Sequence, residues 1–126
     1  DPHTAGHSRK VAMIAEHFAS ALQLTATDVF VLRLAGMMHD VGKIGIPEHV
    51  LLKSGTLDED EWIIMKQHPV IGAEIVGQIG ELGYVAKVVR SHHERWDGTG
   101  YPDGLRGEAI PFLSSMLSAA CWDCSK

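Results

Sequence analysis

Five apolar residues near the start of the chain, Val11, Ile14, Ala15, Phe18 and Leu22, recur at the i, i+3, i+4, i+7 spacing of one helix face. No later stretch alternates apolar and polar residues as a half-buried strand would. A chain with only that period must hide helix stripes against other helix stripes, so the fold class is all-α. The first helix is expected over about Ala5 to Leu22. Thr25 and Asp28 offer a capping-box-like start to a very apolar second helix through Met38. Asp58 with Glu61 opens another in "EDEWIIMKQ", and Pro69 suits the first turn of the next, through about Ile79. Val85, Val88, Val89 and His92 share a face of a helix expected to end near His93. The last helix starts at Pro111. Two segments interrupt the pattern: "GKIGIPEHV", a loop into a short helix, and the glycine-rich loop after His93.

The stripes carry residues that do not belong in an apolar core. His7 lies four residues before Val11, and His39 lies four after Ala35 with Asp40 beside it. His68 stands at the Pro69 junction, and His92 follows Val88 and Val89. Burying imidazole or carboxylate is costly unless the group has a partner. A lone histidine in such a place is more often a capped core residue than a ligand. His17 and His49 have no comparable setting and are read as surface residues. The adjacent pairs His39–Asp40 and His92–His93 carry more. Neighbouring helix positions point about 100° apart, so one ion cannot be served alike by both, but two nearby ions can. Two-metal hydrolytic sites hold their ions about 3.5–4 Å apart and clamp a phosphoryl group. Mixed His/Asp sets suit Mn, Fe or Zn better than Mg or Ca, which prefer oxygen.

Composition narrows the classes. With 126 residues, 45% of them hydrophobic, the chain suits a single domain over 1–126 with one core. A net charge of −5 excludes a broad basic surface, so DNA is not an expected partner. An anionic substrate then needs local positive charge, which a metal supplies. No apolar run approaches the roughly 20 residues of a membrane span, so no direct membrane insertion is expected, and no secretory signal opens the chain. The two cysteines, Cys121 and Cys124, sit together near the end, which suggests no disulfide framework. A reducing cytoplasm is the expected compartment. The abrupt "DPHTAGHS" start and the "CWDCSK" end predict a fragment of a longer protein.

"HTAGHSRKVA", "LAGMMHDVGKIGIP", "MKQHPVIGAEI" and "VVRSHHERWDGTGYPDGLRGEAIP" resemble successive blocks of the HD-GYP domain. That family is a branch of the HD metal-dependent phosphohydrolases of bacterial signalling. The resemblance covers nearly the whole chain and implies an HD-domain helical bundle with the GYP loop before the last helix. It implies a phosphodiesterase that hydrolyses cyclic di-GMP to pGpG or GMP with two divalent metal ions, Fe or Mn. By the same resemblance His7, His39, Asp40, His68, His92 and His93 are the metal ligands, with Asp40 bridging. Lys43 of "HDVGK" contacts the scissile phosphate, so Asp40 and Lys43 are the catalytic candidates. Tyr101 of "GYP" joins Lys43 in lining the nucleotide site. An upstream sensor or receiver domain is implied, and GGDEF-domain partners through the GYP loop.

The sequence departs from the family pattern in two places. Cys121 and Cys124 stand where members usually carry Asp on the last helix, and Asp123 is two residues off, about 200° around it. His3 stands where some members place a Glu for a third metal. His3 and Cys121 are therefore the further metal candidates. The "CWDC" end also supports the alternative function, a catalytically impaired module that binds cyclic di-GMP or GGDEF-type partners.

Overall fold

Seven α-helices follow one another in the computed structural model of the chain, which describes residues 2–121, with side chains from residue 6. They are α1 (Pro2–Ala21), α2 (Ala26–Met38), α3 (Glu48–Leu51), α4 (Glu59–Met65), α5 (His68–Gly77), α6 (Gly83–Arg90) and α7 (Phe112–Ala120). Short 3-10 turns over Val41–Gly45 and Gly107–Ala109 lie before α3 and α7. Among the described residues there is no strand, only an isolated bridge between Asp97 and Arg106. The class is all-α, as expected.

Local chemistry sets the helix starts. Thr25 caps α2 by accepting a hydrogen bond from the Asp28 N–H at 3.1 Å. Asp58 and Glu61 form a reciprocal capping box on α4, each accepting from the other's backbone N–H at 2.8 Å. Pro69 sits in the first turn of α5, where its missing N–H costs nothing.

The main core joins α1, α2, α5, α6 and α7 through Val11, Ala15, Leu32, Val76, Val88, Val89 and Leu117, all buried. The buried face of α1 differs from the expected stripe: it is Val11, Ala12, Ala15 and Ala19, while Phe18 and Leu22 are exposed. Small residues face α2 because the two helices approach closely. A Cβ on Gly36 would lie 2.7 Å from the Ala12 Cα. A second, smaller core of Ile46, Val50, Leu57 and Met65 supports α3 and α4, with Trp62 packed at its edge.

Helix α6 ends earlier than its periodicity suggests. The Val89 carbonyl, which a continuing α-helix would give to the His93 N–H, accepts instead from the His92 N–H at 3.3 Å and from His92 Nδ1 at 2.5 Å. His92 and His93 therefore stand in a turn after α6, not on adjacent helix positions.

Candidate metal centre

Three histidines are oriented by the same local device. Nδ1 of His39 meets the Gly36 carbonyl at 2.7 Å, Nδ1 of His68 meets that of Met65 at 2.9 Å, and Nδ1 of His92 meets that of Val89. Each acceptor lies three residues back. A carbonyl accepts only from a protonated Nδ1, so in the neutral form of such a ring Nε2 keeps its lone pair. Such an outer hydrogen bond is what fixes a ring's tautomer for metal ligation.

Those rings converge on Asp40. The Oδ2 atom of Asp40 lies 3.3 Å from His39 Nε2 and 3.2 Å from Lys43 Nζ, and its Oδ1 lies 3.5 Å from His68 Nε2. Around one end gather His7, His39 and Cys121; around the other gather His68, His92 and His93. Within each set the ligand atoms lie within 4.8 Å of one another. His39 and His92 meet edge to face at 5.3 Å between ring centroids, and His92 and His93 at 4.2 Å, so the two sets are continuous. The position of Asp40 follows from Gly42, whose backbone packs on the first residue of α5. A Cβ there would fall 1.8 Å from the His68 carbonyl oxygen, so only glycine brings the two segments together.

The electrostatics are those of a cation-binding site. Burial alone would raise the Asp40 carboxyl, but the hydrogen bond and charge of His39, then Lys43 and His92, hold it well below the usual carboxylate range. Burial, reinforced by the neighbouring rings, pushes His92 far down and His93 down to about 3. His68 is lowered too, again mainly by burial. Asp40 is thus an ionised carboxylate beside three imidazoles, His68, His92 and His93, whose neutral form burial favours. Yet Asp40 Oδ1 and the Nε2 atoms of His68, His92 and His93 are all buried with no hydrogen-bond partner. Each orphaned buried polar atom costs on the order of 1–3 kcal/mol. Four in one place, all electron-pair donors, fit a divalent cation: a donor set of imidazole nitrogen and carboxylate oxygen suits it.

One wall of the adjoining cleft, about 470 Å³ in volume, is the loop after His93. Gly100 passes so close that a Cβ there would lie 2.4 Å from the His93 carbonyl oxygen and 2.5 Å from the Arg95 nitrogen. The Tyr101 N–H donates to that carbonyl at 3.2 Å, and the Tyr101–Pro102 peptide is cis. The Tyr101 ring stacks on His93, 4.9 Å between centroids and 14° from parallel. Burial, then the charge of Asp40, pushes the Tyr101 phenol up to about 12, so it stays a neutral donor.

The sequence reading gave no role to Glu94. It is buried, and its carboxylate accepts from the Asp103 N–H at 2.7 Å and the Leu105 N–H at 2.8 Å. Arg90 grips Asp103 with two further hydrogen bonds of 2.9 Å. An acidic residue just before a glycine-rich loop, whose N–H groups need acceptors, was the available signal. The other expected residues stand as follows. His7 is half-buried, with its ring 5.7 Å from that of His39 and Nε2 3.6 Å from Cys121 Sγ. Cys121 Sγ also lies 3.4 Å from His39 Nε2, but Cys121 is disulfide-bonded, against the expectation of no disulfide, so this sulfur is not a free thiol ligand. Lys43 reaches Asp40 and remains partly exposed. His17 and His49 are exposed, as expected. The side chain of His3, with Asp123 and Cys124, lies outside the described residues. No helix among those described is long and apolar enough to cross a membrane.

Comparison with known proteins places this arrangement. The HD domain family matches residues 1–121. The chain is 41% identical over 95% of its length to the cyclic di-GMP phosphodiesterase response regulator RpfG of Xanthomonas campestris pv. campestris, covering 32% of that protein. It is 39% identical over 95% of its length to a cyclic di-GMP phosphodiesterase of Thermotoga maritima, covering 33%. It is 36% identical over 94% of its length to 3'3'-cGAMP-specific phosphodiesterase 3 of Vibrio cholerae, covering 26%. The chain therefore spans about a third or less of these relatives. Among solved structures, Bd1817, an HDG"Y"P protein from Bdellovibrio bacteriovorus, superposes with a TM-score of 0.75 at 25% identity. That match covers 93% of this chain and 39% of that one.

Proposed function

This chain belongs to the HD domain family, in its HD-GYP branch, and on that footing we propose that it is the hydrolytic part of a metal-dependent cyclic di-GMP phosphodiesterase. The observation that carries the reading is the Asp40 carboxylate set between two groups of ligand atoms, with four buried donors left without hydrogen bonds. Relatives named as cyclic di-GMP phosphodiesterases support the substrate.

In this reading His7, His39 and Asp40 would hold one divalent ion, and His68, His92 and His93 with Asp40 would hold a second, with Fe or Mn the best suited to such donors. Bound there, the ions would lower the pKa of water toward neutrality and polarise the phosphoryl group. The protein's own side chains do the rest. The carbonyls of Met65 and Val89 set the tautomers of His68 and His92, whose Nε2 lone pairs burial keeps free of protons, and that of Gly36 orients the His39 ring. Lys43 has one N–H on Asp40 and others to offer a phosphoryl oxygen as charge builds on it. Tyr101, kept neutral by burial, offers a phenolic proton to the nucleotide. Glu94 and Arg90 hold the loop that positions Tyr101.

A second reading rests on Cys121, whose sulfur occupies the His7–His39 side of the site. Cys121 is disulfide-bonded, so its sulfur offers neither a thiolate nor the carboxylate oxygen that a hard ion prefers. On that reading the domain binds cyclic di-GMP, or a GGDEF-domain partner through the GYP loop, without turnover. Either way the domain belongs to a longer cytoplasmic signalling protein with an upstream sensor or receiver domain. The test is anaerobic incubation with Mn²⁺ or Fe²⁺ and cyclic di-GMP, the nucleotides then separated chromatographically beside a chelated control. Metal-dependent pGpG or GMP supports the phosphodiesterase. Retained metal with no product shifts the assignment to the binding module.

A further inference from the structure

A second cleft, about 480 Å³ in volume, is lined by Tyr101 and by residues of the α4 segment. It shares Trp62, Thr99 and Tyr101 with the first, so the two adjoin at those residues. Its other wall is one face of α4. Glu59, Trp62 and Ile63 of α4 and Lys66 just after it follow one another at i, i+3, i+4 and i+7, the spacing of one helix face. Here the face stays open: Ile63 is 58% exposed, and Glu59 and Lys66 are also exposed. The Lys66 amine sits over the Tyr101 ring, 5.6 Å from its centroid, and that ring stacks on His93. A continuous stack thus runs from a candidate metal ligand out to a cation on α4.

These groups have complementary uses. The indole of Trp62 is a platform for a flat base, and base–aromatic stacking does not depend on base identity. Lys66 supplies positive charge beyond the reach of Lys43, on a chain of net charge −5. Glu59 supplies what neither can, a carboxylate with two acceptor oxygens. The Watson–Crick edge of guanine presents two adjacent N–H donors, which a carboxylate accepts together. That of adenine presents one donor beside an acceptor, which a carboxylate refuses.

We propose that Glu59, Trp62 and Lys66 form the subsite for the non-reacting nucleotide of a cyclic dinucleotide, and that Glu59 makes it selective for guanine. The inference rests on the phosphodiesterase reading and adds to it a specificity-determining face that no metal ligand belongs to. Because one guanine fills the subsite, a mixed cyclic GMP–AMP should bind within a few-fold of cyclic di-GMP, whereas cyclic di-AMP should bind much more weakly.

The experiment is calorimetric binding of the three cyclic dinucleotides to the Mn²⁺-loaded domain and to Glu59→Gln, Lys66→Ala and Trp62→Ala. Melting temperature and Mn content are measured for each as a check on folding. Trp62 packs at the edge of the second core, so Trp62→Phe, which keeps a ring, accompanies the alanine variant. A hydrogen-bonded base edge and a stacked base are each worth about tenfold or more in affinity. Glu59→Gln should accordingly shrink the cyclic di-GMP to cyclic di-AMP ratio by about tenfold, and Lys66→Ala should weaken all three ligands together. Trp62→Ala should weaken binding and Trp62→Phe restore it. An unchanged guanine-to-adenine ratio in folded, metal-loaded Glu59→Gln overturns the guanine assignment, and unchanged affinities in all the variants overturn the subsite. Failure of the phosphodiesterase reading shows separately, as absence of Mn²⁺-dependent hydrolysis of bis(p-nitrophenyl) phosphate by the unaltered domain, a substrate with no second nucleotide.

Discussion

Asp40 Oδ1 and His68 Nε2 face each other across 3.5 Å in the buried centre of the domain, and neither makes a hydrogen bond. Two electron-pair donors at that distance repel unless something positive lies between or beside them. The first prediction concerns the cation that this pair would hold. Chelation should lower the melting temperature of the metal-loaded domain, and excess Mn²⁺ should restore it, because a ligand that binds only the folded state stabilises it by mass action. Asp40→Ala should cost at least about tenfold in metal affinity. Equilibrium dialysis with metal analysis reads this directly; the same Mn content in Asp40→Ala as in the unaltered domain would remove the carboxylate from the ligand set.

Gly42 sets the distance between those two residues. An alanine there puts a methyl group 1.8 Å from the His68 carbonyl oxygen, a backbone atom that cannot yield as a side-chain tip could. Gly42→Ala should destabilise the domain by about 1–3 kcal/mol or more, the cost of overpacking a rigid site. It should also weaken metal binding, since Asp40 and His68 move apart. Gly80→Ala, where a Cβ meets nothing within 4 Å, is the control. Equal urea midpoints for the two variants would refute the packing argument.

Much of this site is legible in the chain because its devices are local. The i−3 carbonyls that orient His39, His68 and His92 lie on the same helix or turn as the ring. The caps at Thr25 and Asp58 are set three residues apart in sequence for the same reason. What periodicity could not reveal depends on contacts between distant segments. Phe18 and Leu22 fit a helical stripe, but α1 turns its small residues inward because α2 comes too close for larger ones. His92 fits the α6 stripe, but its own ring competes for the Val89 carbonyl and ends the helix. Glu94 reads as one more surface acid until the loop folds back and presents it with two N–H donors.

That role for Glu94 yields the third prediction. Glu94→Gln keeps the size but replaces a carboxylate by an amide, which offers one acceptor oxygen where two N–H groups need one each. Leaving a buried N–H unsatisfied should destabilise the domain by about 1–3 kcal/mol. Because the affected residues, Asp103 and Leu105, lie beyond Tyr101 and away from the ligand atoms, the loss should fall on nucleotide affinity more than on metal content. Measuring KM for cyclic di-GMP beside bound Mn separates the two. A variant that loses metal but keeps its KM would place Glu94 with the ligands instead of with the loop.

The histidines set the pH dependence of the metal-free domain. His68, His92 and His93 are all lowered in the folded state, His93 to about 3, while in the unfolded chain each titrates near 6.5. Above about pH 6.5 these rings are neutral in both states and contribute no slope. Below it the unfolded chain takes up protons that the folded one refuses, so stability falls as pH falls and continues to fall toward the folded value. Between about pH 6.5 and 5 ordinary carboxylates remain ionised, and Asp40, held low, does not titrate there either. The loss in that window therefore belongs to the buried rings. Urea unfolding of the chelated domain should show a midpoint that drops from pH 7 to pH 5, and His93→Gln, which cannot take up the proton, should make the drop shallower. A midpoint that holds level across the window, or a slope untouched by His93→Gln, would mean that these imidazoles are not buried in their neutral form.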